Sequence, residues 1–278
     1  MDLGLKDAHV VIVGASRGIG RAAARHFAAE GAKLALIARN VKGLEKTATQ
    51  CREAGSPDVL CLSADMVSAD QIDAAFSEIA DRWGHINVLV NNAANSVGTH
   101  GGFEKFEDDD VYREAYDRIA LGYVRTTRAA LPHMKKAAWG RIVNVSTTST
   151  ATASPMLHVY NMTKAAVVSM SIANAREFAK FGITVNILSP GSIMVEGGNW
   201  GDVINSYFEK TGRDPTDPYD ALKMQNEMFS EGSGDLIWLE RIGYVDEYGA
   251  AICWLGSKVN SYMTGSNVNV SGGNDFHH

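Results

Sequence analysis

The feature that most constrains the fold is a regular alternation of short apolar runs with longer segments of helical periodicity. Seven runs have the character of strands: AHVVIVGA, KLALIAR, VLCLSAD, INVLVNNAA, GRIVNVS, ITVNILSPG and NVNV. The first four runs are too apolar to have a face in water, so we expect them to be buried on both faces of a parallel sheet. The alternation predicts an α/β fold made of βαβ units.

The chain is interpreted as one domain with one insertion. Its 278 residues fit a single large α/β domain, and no internal repeat or low-complexity linker interrupts the alternation. The alternation of strands and helices is interrupted at about 196–240, a segment rich in Gly, Asp, Met and aromatic residues. We therefore predict a single doubly wound domain over residues 1–278 with an insertion at about 196–240.

The composition argues against several functional classes. Hydrophobic residues make up 45% of the chain and charged residues 21%, and no apolar run approaches the roughly eighteen residues of a membrane span. A net charge of −6 with scattered basic residues argues against binding to nucleic acid. Three cysteines without C-x-x-C spacing argue against a disulfide framework and a metal site. The beginning of the chain does not resemble an export signal, so we expect a cytoplasmic protein.

The turn after the first strand, GASRGIG, predicts a nucleotide site. Its glycines, Gly14, Gly18 and Gly20, let the backbone turn sharply and approach a pyrophosphate at the N-terminus of the next helix. A glycine motif is weak evidence alone, but this one lies between a predicted strand and helix, which is the context of a Rossmann domain. We assign the following residues of the turn to the cofactor: Gly14, Ser16, Arg17, Gly18, Ile19 and Gly20.

The end of the second strand favours NADP(H) over NAD(H). An NAD site has an acidic residue here for the ribose hydroxyls, but this chain has Ala38 followed by Arg39. The guanidinium of Arg39 suits a 2′-phosphate, and Arg17 adds a second positive charge. If both arginines are instead solvated surface charges, the choice of cofactor is undecided.

Residues 160–164, YNMTK, place a tyrosine and a lysine one helical turn apart, downstream of the hydroxyl-rich stretch VSTTST. At this spacing Tyr160 and Lys164 share a helix face. Taken alone, such a pair is most often an ordinary surface pair. The motifs elsewhere in the chain favour a chemical role.

The chain resembles the short-chain dehydrogenase/reductase family along essentially its full length. The motifs that carry the resemblance occur in order: GASRGIG, Asp65 after strand three, NNAA at 91–94, IVNVST at 142–147, YNMTK, SPG at 189–191 and MTGSNVNVSGG near the end. The resemblance implies that Asp65 contacts the adenine, that Asn91 and Ala93 line the cofactor, and that Ile193 after the Pro190–Gly191 turn contacts the nicotinamide. It also implies that Tyr160 transfers a proton to or from the substrate, and that Lys164 lowers the pKa of Tyr160 and contacts the nicotinamide ribose.

Several positions depart from the family pattern. Thr147 stands thirteen residues before Tyr160, where the family has a serine; it offers the same O–H donor, with Ser146 and Ser149 as alternatives. Ile119 replaces an asparagine that orders a water behind the lysine, and we expect another polar group, such as Asp117 or Tyr116, to substitute. Two further departures are Ala94 for a glycine and Val195 for a threonine.

The resemblance implies an NADP(H)-dependent enzyme that reduces a carbonyl or oxidises a secondary alcohol. Residues 196–240 correspond to the family's substrate lid. Its apolar residues either cover a lipophilic or aromatic substrate or pack the lid onto the core or onto a neighbouring subunit. These residues are Trp200, Tyr207, Phe208, Met224, Met228, Phe229 and Trp238. His158 is interpreted as a pocket wall. Helices at about 108–138 and 157–181 would form a homodimer or homotetramer. The alternative is a catalytically weak relative that binds nucleotide as a sensor or structural subunit.

Overall fold

The computed structural model describes residues 1–94, 99, 101–193, 201–214, 217–228 and 237–273. Seven parallel strands form one sheet in the order β3-β2-β1-β4-β5-β6-β7. Their bounds are β1 His9–Val13, β2 Lys33–Ala38, β3 Val59–Ser63, β4 Val88–Asn91, β5 Gly140–Val145, β6 Ile183–Pro190 and β7 Asn267–Val270. The doubly wound parallel sheet predicted from the apolar runs is confirmed.

Helices cover both faces of the sheet. Their bounds are α1 Gly18–Ala29, α2 Val41–Glu53, α3 Ala69–Trp83, α4 Asp110–Tyr116, α5 Gly122–Met134, α6 Ser149–Thr152, α7 His158–Phe178, α8 Gly201–Thr211, α9 Pro218–Met228 and α10 Val245–Leu255. Short polar caps begin two of them: Asn40 accepts a hydrogen bond from Gly43 N (3.0 Å) and Ser68 accepts one from Gln71 N (3.3 Å). These caps begin each crossover helix soon after its strand ends.

Two apolar cores sandwich the sheet. One core packs α1, α2 and α10 against one face, and the other packs α3, α5 and α7 against the opposite face. Small residues allow the first layer to pack closely, since a Cβ added to Gly249 on α10 would stand 2.8 Å from the backbone of Ala22 on α1. The five inner strands, β1, β2, β4, β5 and β6, are therefore covered on both sides, whereas the edge strands β3 and β7 have exposed residues.

The order of the strands creates a crevice at one edge of the sheet. β1 lies between β2 and β4, so the chain runs outward from β1 in both directions. Because all strands are parallel, their carboxyl ends meet at the same edge; Val13 is in register with Ile37 of β2 and with Asn91 of β4. Ligands of open α/β sheets bind at this kind of switch point.

The segment predicted as one helix over 108–138 is divided in the structure. A π-helical turn, Asp117–Leu121, separates α4 from α5. A turn of this kind inserts one extra residue into the helix and rotates the residues after it to a new face. In α5, which follows this turn, the hydroxyl of Tyr123 reaches the last carbonyl of β5, Val145 O, at 3.1 Å.

Residues 196–240 contain α8 and α9, which pack around a small apolar cluster of their own. Phe208 and Met224 are buried in this cluster. These two residues therefore pack within the insertion and against Ile242 just after it, and neither is exposed to a substrate. Trp200 and Phe229 lie outside the described residues. In the part of the chain that the structure describes, no helix is long and apolar enough to cross a membrane.

Candidate active site

The predicted site residues collect at the carboxyl edge of the sheet because each follows the end of a strand. Gly14 follows β1, Arg39 follows β2, Asp65 lies two residues after β3, and Thr147 lies two residues after β5. Asn91 and Pro190 are the last residues of β4 and β6. The parallel sheet thereby gathers segments from positions 14 to 193 into one crevice.

The glycine turn has the features that a pyrophosphate site requires. Gly14 has φ +87°, and a Cβ at this position would stand 2.6 Å from the backbone of Ala93. The first turn of α1 contains no acidic residue, and no side chain caps the helix at Arg17. The amide groups and the positive dipole end of α1 therefore remain available to an anion. These residues fit a dinucleotide cofactor.

Two residues that the sequence analysis missed anchor the glycine turn. Thr47 on α2 donates a hydrogen bond to Ala15 O (2.9 Å), and Arg21 on α1 donates to Thr47 Oγ1 (3.1 Å) and to Ser16 O. The turn is therefore tied to two helices by side chains that carry no recognisable motif, so no signal in the sequence identified them.

Arg39 and Asp65 meet in the structure. Arg39 NH1 lies 3.3 Å from Asp65 Oδ2, and the side chain of Arg39 is 64% exposed. The pair brings the residue expected at the 2′-phosphate next to the residue expected at the adenine. Because both side chains face solvent at the end of neighbouring strands, the ion pair itself adds little stability.

The side chain of Asn91 faces the protein interior rather than the crevice. It donates to Asn144 Oδ1 (2.9 Å) and accepts from Thr126 Oγ1 (2.7 Å), and it is fully buried. These bonds join β4, β5 and α5 below the crevice. A contact between Asn91 and the cofactor would come from its backbone. Ala93 N donates to Val13 O (3.0 Å) and so holds its loop against the glycine turn.

The loop after β6 is held on both sides. Gly191 N donates to Val270 O (2.9 Å), and Pro190 O accepts from Thr148 N (3.0 Å). Ile193 forms an isolated parallel bridge with Gly243. These bonds keep Pro190, Gly191 and Ile193 at the crevice. Val195 lies outside the described residues.

Tyr160 and Lys164 share one face of α7, as their spacing predicts. The Lys164 ammonium lies 5.7 Å from the centroid of the Tyr160 ring, and Lys164 is only 1% exposed. Lys164 Nζ donates to Val145 O, the last carbonyl of β5, at 2.6 Å. The pair is therefore built into the interior next to the end of β5, which excludes the ordinary surface pair.

Burial changes the proton affinities of both groups. It raises the pKa of Tyr160 to about 12 and lowers the pKa of Lys164 to about 7, because the charged form of each group loses water. The expectation that the pKa of Tyr160 is lowered is not met in this structure, where desolvation raises it. Tyr160 is therefore a neutral proton donor at pH 7.

The three candidate hydroxyls after β5 have different environments. Ser146 is buried and donates to Lys164 O (3.3 Å), so its hydrogen is already used. Thr147 is partly buried, and its Oγ1 accepts from Ser149 N (3.2 Å), which leaves its hydrogen available to a ligand. Ser149 Oγ is buried without a hydrogen-bond partner. These contacts favour Thr147 as the hydroxyl that donates to a substrate oxygen, with Ser149 as the remaining alternative.

The polar group near Lys164 is neither of the two expected. Asp117 is paired with Arg125 (2.6 Å), and Tyr116 is exposed, because both lie on the outer side of the π-helical turn. Ile119 is fully buried in the core. Instead, the hydroxyl of Tyr123, one turn later, lies 3.3 Å from Lys164 Nζ. No motif in the sequence marks Tyr123, because its contact with Lys164 joins positions 41 residues apart.

An aromatic cluster stands at the start of α7. His158 Nε2 lies 2.8 Å from Tyr112 OH, and its ring centroid is 5.5 Å from those of Phe103 and Phe106. A hydrogen bond from Gly101 N to Met156 O (3.0 Å) joins the chain after β4 to the segment before α7. These residues form a wall close to Tyr160 in the chain. Among the described residues, no three His, Cys, Asp or Glu side chains form a group that fits a metal ion.

Comparisons with known proteins agree with this geometry. The family model for short chain dehydrogenases matches residues 8–199. The 11-beta-hydroxysteroid dehydrogenase A of Sesamum indicum is 36% identical over 187 residues, 67% of this chain, and the match spans about half (53%) of that relative's length. Sorbitol dehydrogenase of Cereibacter sphaeroides is 28% identical over 269 residues, which cover 95% of this chain and 96% of that protein.

A solved structure extends the similarity over the whole chain. L-sorbose reductase of Gluconobacter frateurii, complexed with NADPH and L-sorbose, has a TM-score of 0.87 and 27% sequence identity over 100% of both chains. The glycine turn, the buried Lys164 with the partly buried Tyr160, the seven-stranded parallel sheet and the matching family model lead to one conclusion. The chain belongs to the short-chain dehydrogenase/reductase family, of the type that carries a Tyr-x-x-x-Lys pair.

Proposed function

We propose that the protein is an NADP(H)-dependent oxidoreductase that reduces a carbonyl, or oxidises a secondary alcohol, by hydride transfer. The observation that carries the proposal is the position of Tyr160 and Lys164 on one buried helix face beside the end of β5. A neutral tyrosine with a lysine next to it supplies a proton and stabilises the tyrosinate that remains. The family's enzymes bind a nicotinamide cofactor, which supplies the hydride when bound.

Tyr160 has the acid strength that carbonyl reduction requires. Its pKa of about 12 keeps it protonated at neutral pH, while an alkoxide is a stronger base and takes the proton readily. The ammonium of Lys164, 5.7 Å from the ring centroid, favours the tyrosinate formed in this step. In the direction of alcohol oxidation the same two groups act in reverse.

Thr147 is proposed to hold and polarise the substrate oxygen. Its Oγ1 is fixed by the bond from Ser149 N, and its hydrogen has no acceptor among the described residues. A donor held in advance at the place where negative charge develops stabilises the transition state more than the ground state. The methyl group of threonine restricts χ1, which holds this hydroxyl in place.

The residues proposed to hold the cofactor lie along the same edge of the sheet. The N-terminus of α1 with Ser16, Arg17 and the glycines would receive the pyrophosphate. Arg39 and Arg17 support a preference for NADP(H), because no acidic residue ends β2 and both side chains are exposed. The NADPH bound to L-sorbose reductase is in line with this preference.

The substrate is proposed to be lipophilic or aromatic. Support comes from the aromatic wall around His158, where Phe103 is 77% exposed, and from Trp238, which is 67% exposed at the end of the insertion. The similar proteins act on different compounds by name, a steroid in one case and sugars or sugar alcohols in others. The substrate class is therefore the first property to test.

Two further properties belong to this proposal, a cytoplasmic location and assembly into a homodimer or homotetramer. The helices expected at the interface carry exposed apolar side chains in the structure. They are Tyr116, Leu121, Ile172 and Phe181. Exposed apolar groups on adjacent helices favour a symmetric contact between copies.

The alternative is a catalytically weak protein that binds nucleotide as a sensor or structural subunit. Its support in the sequence is the three departures from the family pattern at Thr147, Ile119 and Val195. The structure favours the enzyme, because Thr147 retains a usable O–H and a polar group again lies next to Lys164.

A substrate screen tests the proposal. Purified protein is incubated with NADPH or NADH and a panel of steroid ketones, aromatic ketones, diketones and ketoses, and consumption of the cofactor is followed by absorbance. We expect turnover of at least one ketone with NADPH and its loss in Tyr160→Phe. The proposal fails if the protein binds NADPH but reduces none of these compounds, or if Tyr160→Phe retains full activity.

A further inference from the structure

Tyr123 is a fully buried tyrosine that no motif of the family identifies. It lies in the first turn of α5, and its hydroxyl donates a hydrogen bond to Val145 O at 3.1 Å. The same hydroxyl accepts a hydrogen bond from Lys164 Nζ at 3.3 Å. The Lys164 ammonium also lies 5.1 Å from the centroid of the Tyr123 ring. One side chain of α5 therefore contacts the lysine through both its hydroxyl and its ring.

The contact spans two crossover helices and one strand end. Lys164 Nζ donates to Val145 O at 2.6 Å, so the lysine, the tyrosine hydroxyl and the carbonyl form a closed triangle of hydrogen bonds. In this triangle Lys164 only donates, the carbonyl only accepts, and Tyr123 does both. Each bond to the lysine is therefore better made by the ammonium than by the neutral amine.

We propose that Tyr123 is a positioning residue whose hydroxyl and ring hold the ammonium of Lys164 beside Tyr160. This proposal rests on the proposed oxidoreductase function and extends it to a residue outside the family's motifs. It also explains how the chain can have Ile119 where the family has an asparagine. Tyr123, one turn later, provides the polar contact to the lysine instead.

The charge of Lys164 depends on few neighbours. The titratable groups that face it are Tyr160 on its own helix and Tyr123 on α5, while β5 presents the carbonyl of Val145. Among the described residues Lys164 makes no ion pair. Burial lowers the pKa of Lys164 to about 7, near working pH, so loss of one acceptor changes the fraction of protein in which the lysine is charged.

The decisive variant is Tyr123→Phe, which keeps the ring and removes the hydroxyl. Because this hydroxyl favours the charged lysine, its loss lowers the pKa of Lys164 by about one pH unit. The pKa is measured by ¹⁵N NMR of the lysine Nζ group, assigned by comparison with Lys164→Met. In ketone reduction, we expect the fall of kcat at high pH to begin about one pH unit earlier, while the KM for NADPH changes less than about threefold.

Tyr248→Phe is the matched control. Tyr248 is also buried, and its hydroxyl also donates to a backbone carbonyl, that of Ser192 at 3.0 Å, but it makes no contact with Lys164. This variant loses the same group and should leave the pKa of Lys164 unchanged. If Tyr123→Phe does not fold, 3-fluorotyrosine at position 123 keeps the shape and weakens the acceptor, and a smaller downward shift is expected.

The results separate this inference from the function on which it rests. An unchanged lysine pKa and pH profile in Tyr123→Phe or in the fluorotyrosine protein would overturn the positioning role. Equal shifts in Tyr123→Phe and Tyr248→Phe would also overturn it, because they would indicate a general effect of lost hydroxyls. If no ketone is reduced by the unaltered protein, the oxidoreductase proposal fails, yet the NMR titration still tests the contact between Tyr123 and Lys164.

Discussion

Replacing Lys164 by methionine should make the protein more stable while it removes activity. The pKa of this lysine falls from its ordinary value of 10.5 to about 7 because the ammonium is buried. This difference corresponds to about 5 kcal/mol, at roughly 1.4 kcal/mol for each pH unit. Below pH 7 the charged lysine therefore lowers the free energy of unfolding by at most this amount. Methionine has a similar volume and carries no charge to desolvate.

The neighbours of Lys164 remain satisfied in Lys164→Met. Val145 O still accepts from Tyr123 OH at 3.1 Å, so no buried polar group loses its last partner. We expect the free energy of unfolding to rise by about 2–4 kcal/mol at pH 7, since repacking recovers only part of the maximum. For 278 residues this is a rise in Tm of about 4–8 °C.

The stabilisation expected in Lys164→Met should decrease as the pH rises. Between pH 7 and pH 10.5 the unfolded chain holds a proton on Lys164 that the folded protein has released. The free energy of unfolding of the unaltered protein therefore increases as the pH rises through this range. The difference in free energy of unfolding between Lys164→Met and the unaltered protein shrinks toward zero near pH 10. Calorimetry at several pH values measures the difference in Tm.

An exposed lysine provides the control. Lys46→Met, on the outer side of α2, should change the free energy of unfolding by less than about 0.5 kcal/mol, without a trend with pH. The reasoning is refuted if Lys164→Met is less stable than the unaltered protein at pH 7. It is also refuted if the difference in Tm between Lys164→Met and the unaltered protein is the same at pH 7 and pH 10.

Three further predictions concern the substrate oxygen, the cofactor and the assembly. Thr147→Val should lower kcat by roughly two to three orders of magnitude with little change in NADPH affinity, because it removes an oxyanion donor and keeps the shape. Ser146→Ala should lower kcat much less. If steady-state kinetics show the larger loss of kcat in Ser146→Ala, the role belongs to Ser146. In titration calorimetry, NADPH should bind at least about tenfold more tightly than NADH. Arg39→Asp should reduce or reverse this difference in affinity, since charge-assisted bonds to a phosphate are lost. Equal dissociation constants of the unaltered protein for the two cofactors would contradict the prediction. Light scattering at micromolar concentration should show a dimer or tetramer, and a monomer would count against the proposed interface.

The sequence by itself determined the features that depend on neighbouring residues. Apolar runs predicted the seven strands of one parallel sheet, and the five inner strands are buried on both sides. The glycine turn predicted the backbone at Gly14, whose φ of +87° suits a residue without a side chain. The four-residue spacing predicted that Tyr160 and Lys164 share a helix face. Each prediction follows from local periodicity or local sterics.

Only the tertiary structure decided how groups distant in sequence meet. The contact between Tyr123 and Lys164 joins positions 41 residues apart, and it forms only because α5 and α7 pack on the same face of the sheet. The same packing commits the hydroxyl of Ser146 to a backbone carbonyl and leaves that of Thr147 available. Burial, which has no local signature, reversed the expected shift in the pKa of Tyr160. Desolvation and long-range contacts exist only after the helices have packed on the sheet, so no pattern of neighbouring residues encodes them directly.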